Sequence, residues 1–99
     1  MDIKKEQQEN KLTVKVSGRL DTTTAPELES SLQESLDGVQ DLTLDFSDLE
    51  YISSAGLRVL LSTQKKMNTQ GNMRLTGVNE VVMEVFELTG FSEILTIEK

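Results

Sequence analysis

Between residues 42 and 61 the apolar side chains change their spacing, and this change limits the possible folds more than any other feature of the chain. Leu42, Leu44 and Phe46 alternate with polar residues, as in a strand with one buried face. Leu57, Leu60 and Leu61 then recur at helical spacing. A strand therefore feeds a helix, and Ser53-Ser54-Ala55-Gly56 stands at the mouth of that helix. The first N–H groups of a helix have no partner inside it, so an anion at this turn finds ready donors.

The same two periods organise the rest of the chain. Residues 2–8 are polar and read as a short edge strand, with Glu9-Asn10 as a tight turn. Leu12, Val14 and Val16 alternate with Thr13, Lys15 and Ser17, and Gly18 is expected to end that strand. Thr24-Ala25-Pro26-Glu27 has the form of a capping box with proline in the first turn. Leu28, Leu32 and Leu36 continue as a helix, which Gly38 stops. After a strand over 42–46, the second helix is expected over about 55–69. It has Leu57, Leu60, Leu61 and Met67 on its core side, and Lys65 and Lys66 near its C-terminus. Gly71 breaks it before a strand at 73–76. Asn79 is placed to cap a third helix, with Val78 and Met83 as a hydrophobic staple and Val82, Val85 and Phe86 as the buried stripe. Gly90 ends that helix, and residues 94–97 read as a last strand.

The predicted order is β-β-α-β-α-β-α-β, in one domain over residues 1–99 with no internal repeat or linker. Strand–helix–strand crossovers imply parallel neighbours joined right-handedly. Two strands alternate cleanly, which favours a two-layer α/β domain with helices mainly on one face over a doubly wound sheet.

Composition narrows the chemistry. No cysteine or histidine is present, which removes thiolate metal sites, disulfides and the usual general base. A net charge of −7 with no basic stripe argues against nucleic-acid binding and suits a partner with a basic surface. No apolar run approaches a membrane span and the start lacks a secretory pattern, so a cytoplasmic protein without membrane insertion is expected. No cofactor is implied. Ile52-Ser53-Ser54-Ala55-Gly56 resembles half of a nucleophile elbow, but its first glycine is replaced and no histidine can activate the serine. A binding module is expected, not an enzyme.

In open α/β sheets, functional groups lie beyond the carboxyl ends of the parallel strands. The loop from Arg19 through Asp21 and Thr22 to Thr24 shares that end with Ser53 and Ser54, so the two loops are expected to form one surface. Asp21, Asp45 and Asp48 are expected to gather there. Ser53 and Ser54 have two compatible readings, a helix N-cap and a phosphate acceptor, with Ser54 the preferred acceptor. Tyr51 and Ile52 read as core at the strand exit.

The run from Asp45 to Leu61 resembles the signature of STAS-domain anti-sigma factor antagonists (anti-anti-sigma factors), and Gly18-Arg19-Leu20-Asp21 and Phe86-Glu87-Leu88-Thr89-Gly90-Phe91 agree with it. The resemblance implies a bacterial regulator of transcription that works by partner switching. Its unphosphorylated form would bind an anti-sigma factor serine kinase and free a sigma factor; phosphorylation would end that binding, and a PP2C-type phosphatase would restore it. Alignment on Gly56 puts Ser54 at the acceptor position and Ser53 where the family commonly has aspartate. It implies partner contacts from Asp21, Thr22, Ser53, Ser54, Ala55, Gly56 and Leu57. Some STAS domains are instead non-switching subunits of transport or stress-signalling assemblies, which is the alternative reading.

Overall fold

The computed structural model describes residues 1–98. In chain order the elements are β1 (Asp2–Gln8), β2 (Lys11–Leu20), α1 (Ala25–Ser35), β3 (Asp41–Ile52), α2 (Ser54–Gln70), β4 (Asn72–Thr76), α3 (Glu80–Thr89), α4 (Phe91–Ile94) and β5 (Ile97–Glu98). The strands form one sheet in the order β1-β2-β3-β4-β5. β1 pairs antiparallel with β2 and every later pair is parallel, as crossovers through α1, α2 and α3 require.

Alternation sorts the sheet into two faces. Leu12, Val14 and Val16 of β2, Leu42, Leu44 and Phe46 of β3, and Met73 and Leu75 of β4 are buried. Between them, Lys11, Thr13, Lys15, Thr43, Asp45, Asn72 and Arg74 remain exposed or half-exposed. The helices cover the apolar face with Leu28 and Leu32 of α1, Leu57, Leu60 and Met67 of α2, and Val82 and Phe86 of α3. This is the two-layer arrangement that the alternation implies.

Several local expectations change. Gly18 does not end β2; at φ +93 it carries the strand through an irregularity to Leu20. β3 runs for 12 residues to Ile52 instead of stopping at Phe46. Its register against β2 slips twice, between Lys15 and Ser17 and between Gly18 and Arg19. Each slip gives β3 an extra residue, so Leu49 and Ile52, spaced by three, still face the core. Tyr51 is not core: its half-exposed ring lies 4.4 Å below the Arg19 guanidinium. Leu61 is only half-buried, and Thr63 and Gln64 take buried positions on α2.

The ends of the helices differ as well. No capping box forms at α1, because the Thr24 hydroxyl turns back to donate to the Arg19 carbonyl at 2.8 Å. The last turn of α2 has no basic residue, since Lys65 and Lys66 lie one turn too early. Asn79 does cap α3, accepting from the Val82 N–H at 2.8 Å while its amide donates to the Leu49 carbonyl at 2.7 Å. Beyond Gly90 the chain forms α4, and the final strand is Ile97–Glu98, later than the 94–97 expected. Among the described residues no helix is long and apolar enough to cross a membrane.

Candidate functional site

The end of β3 is tied to the end of β2. Leu20 is the register partner of Ile52, and the Ser53 N–H donates to the Leu20 carbonyl at 2.9 Å. The Asp21 loop and the first turn of α2 therefore lie side by side at the carboxyl end of the parallel strands. Gly56 lets them approach. A Cβ there would sit 2.7 Å from Leu20 Cγ and 2.8 Å from Ile52 Cγ1, closer than carbon atoms can pack.

Ser53 occupies the N-cap position in an extended conformation, but its side chain makes no capping bond. Its Oγ is buried and has no hydrogen-bond partner. Ser54, the first residue of α2, is exposed. The first intrahelical bond runs from the Leu57 N–H to the Ser53 carbonyl at 3.0 Å. The N–H groups of Ser54, Ala55 and Gly56 precede it and have no intrahelical acceptor. The two serines thus have opposite environments: one hydroxyl points inward and the other is open to solvent, beside free donors.

Asp21 first serves its own loop. Its Oδ1 accepts from the N–H groups of Thr23 at 3.0 Å and Thr24 at 3.2 Å, and its Oδ2 lies 3.9 Å from Arg19 Nε. Partial desolvation pushes the carboxyl pKa up, but the hydrogen bonds from Thr24 and Thr23 outweigh it and hold Asp21 below the ordinary aspartate value. A depressed folded pKa contributes stability above the unfolded value, and this is lost as pH falls through the folded one. Asp21→Asn is therefore expected to melt below wild type at about pH 7, with the gap narrowing towards about pH 3. A gap that stays constant across melting curves at both pH values would mean that the charge of Asp21 does not hold the loop.

Asp45 and Asp48 do not join Asp21. At roughly 3.3 Å per residue, Asp45 lies about 23 Å back along β3 from Ile52 and Asp48 about 13 Å. The Ser47 N–H donates to Asp45 at 2.9 Å and, with a smaller contribution from Lys15, keeps its pKa low. Asp48 pairs with Lys15 at 3.2 Å. Both carboxylates belong to the strand and not to the Ser54 turn. Of the other anticipated contact residues, Thr22 is exposed and Ala55 half-buried, whereas Gly56 and Leu57 are buried. Thr22 and Ala55 share a groove of about 310 Å³ between α1 and α2 with Pro26, Glu29 and Arg58. Pro26, Glu29 and Arg58 were not anticipated. The available signal was helical spacing: Arg58 follows Ser54 by four residues, and Glu29 follows Pro26 by three.

Residues 2–99 match the STAS domain family. The chain belongs to that family. It is 32% identical over 98 residues to the anti-sigma-B factor antagonist of Bacillus subtilis (strain 168), covering 98% of this chain and 88% of that protein. An anti-sigma factor antagonist from Mycobacterium paratuberculosis superposes with a TM-score of 0.87 at 26% identity, covering 97% of this chain and 83% of the other. The antagonist SpoIIAA has the same fold at 15% identity, with TM-scores of 0.78 for its unphosphorylated form and 0.76 for its phosphorylated form. These superpositions cover 99% of this STAS chain, and 88% and 92% of the respective SpoIIAA chains. The relatives named here are regulators, and this domain is of the anti-sigma factor antagonist type.

Proposed function

We propose that this STAS domain is a cytoplasmic, phosphorylation-switched antagonist of an anti-sigma factor that is itself a serine kinase. Unphosphorylated, it binds that kinase through the Ser54 turn and the α1–α2 groove, which frees a sigma factor. Phosphorylation of Ser54 by the kinase ends the binding, and a PP2C-type phosphatase reverses it.

The observation that carries the reading is the contrast between the two serines. Ser54 is exposed on the first residue of α2, while the Ser53 hydroxyl is buried. A kinase needs an accessible oxygen, which supports Ser54 as the acceptor. A phosphoserine carries about −1.5 to −2 charge near neutrality, and at a helix N-terminus that charge is locally favourable. The modification should therefore leave the fold standing and act on the surface, by adding charge and filling space that the partner needs. SpoIIAA, whose phosphorylated and unphosphorylated forms both superpose on this fold, is consistent with such a surface switch.

The test is phosphopeptide mapping after incubation with the cognate anti-sigma factor and ATP. Phosphate is expected on Ser54 alone, to be absent from Ser54→Ala, and to be removed by a PP2C-type phosphatase. A complex that forms with no phosphate on any serine would refute the switch and favour constitutive binding within a transport or stress-signalling assembly.

A further inference from the structure

The stretch from Leu75 to Glu98 contains Glu80, Glu84, Glu87, Glu93 and Glu98 and no lysine or arginine. It also holds Val81, Leu88 and Ile94, the large apolar side chains most exposed among the described residues, at 57%, 79% and 48%. On α3 the two patterns are ordered. Val82 and Phe86 point into the core; Val85, expected to be buried with them, is only half-buried against it, and with the exposed Val81 and Leu88, spaced by four and three, it forms a stripe along the helix's flank. At 100° per residue, Glu80, Glu84 and Glu87 run along the outer side of that stripe. No part of the proposed Ser54 switch uses this face.

We propose that the Val81–Val85–Leu88 face of α3 is a second docking surface, and that its occupant is a basic amphipathic helix of a partner protein. The exposed side chains of Val81 and Leu88, with the open part of Val85 between them, lose free energy in water, and a partner's apolar side chains would remove them from it. The row of glutamates selects the sign of the rim. Lysines or arginines flanking the partner's apolar stripe would meet carboxylates with no competing base on α3. A second copy of this chain would set one glutamate row against another, and an anionic membrane surface would be repelled in the same way. The surface lies on a different helix from Ser54, so binding there is independent of the state of that serine. The domain can then remain tethered to one protein while Ser54 controls its affinity for another.

The experiment uses the whole chain, labelled for amide NMR, and an amphipathic helical peptide built from leucine and lysine. A glutamate–leucine peptide of the same pattern is the control. The lysine peptide is expected to shift the amides of Val81, Val85 and Leu88 and to bind about tenfold or more weakly to Val81→Ser/Leu88→Ser, whereas the glutamate peptide does not bind. Ser54→Asp should leave the affinity unchanged. Both substituted side chains are exposed, so the melting temperature of the double variant should match wild type, which separates lost docking from lost folding. Shifts centred on the glutamates of α1, or equal affinity for the double variant, would overturn the proposal. So would a dimer in sedimentation that the double variant abolishes, because the occupant would then be a second copy.

Discussion

Gly71→Ala is expected to destabilise the protein by about 3 kcal/mol or more, a large part of the roughly 5–15 kcal/mol that holds a domain of this kind together. The cause is space and not backbone conformation, since φ at Gly71 is 170°, within the extended range. A Cβ there would lie 1.9 Å from the Gln40 carbonyl oxygen and 2.6 Å from its carbon. That carbonyl cannot easily retreat. It accepts the Asn72 N–H at 2.8 Å, and the Gln40 N–H is itself bound to the Asn10 carbonyl at 2.8 Å. Relief would require the start of β4 to part from the chain entering β3, which would break the sheet where α2 hands over to it. Urea unfolding measures the effect, and a midpoint equal to that of wild type would show that the junction yields without cost.

The second large effect is on binding. Ser54→Asp is expected to weaken the complex with the cognate anti-sigma factor about 100-fold, close to 2.7 kcal/mol, while its melting temperature stays at or slightly above that of wild type. An aspartate in the first turn of α2 meets the free N–H groups of that turn, so the fold gains or loses little. At the surface the same charge sits beside the α1–α2 groove, where it opposes a partner selected to meet a hydroxyl. Ser54→Ala should bind as wild type does and stay bound after ATP is added. Titration calorimetry on the three proteins decides the point. Equal affinities would reduce Ser54 to a helix-start residue and the module to a constitutive binder.

Much of this architecture is legible in the chain because its signals are local. The alternation in β2 and the first half of β3 identifies one buried face, and the Leu28–Leu32 and Val82–Phe86 spacings identify helices that cover it. Asn79 reads correctly as a cap because an Asn before a helical apolar run offers its oxygen to an N–H three residues on, whatever the surroundings. Thr24 reads incorrectly for the complementary reason. Its hydroxyl can reach the start of α1 or the Arg19 carbonyl, and the tight Asp21 turn, whose own N–H also binds that hydroxyl at 2.9 Å, favours the latter.

At the site, the sequence determined that a serine pair stands where a strand becomes a helix, with Ala55 and Gly56 after it. Strand and helix periodicities are properties of the chain alone, whereas the close approach of Leu20 that leaves room only for glycine at position 56 is a tertiary contact. The tertiary structure decided how far β3 extends and which serine faces solvent. Strict alternation is absent from the second half of β3, where Phe46, Leu49 and Ile52 are spaced by three. Only pairing against β2, with extra residues bulged out, turns that spacing into one continuous face. The Ser53–Leu20 bond then fixes the height at which α2 begins, which buries one hydroxyl and leaves the other open. Register against a neighbouring strand is a long-range choice, and no local pattern encodes it.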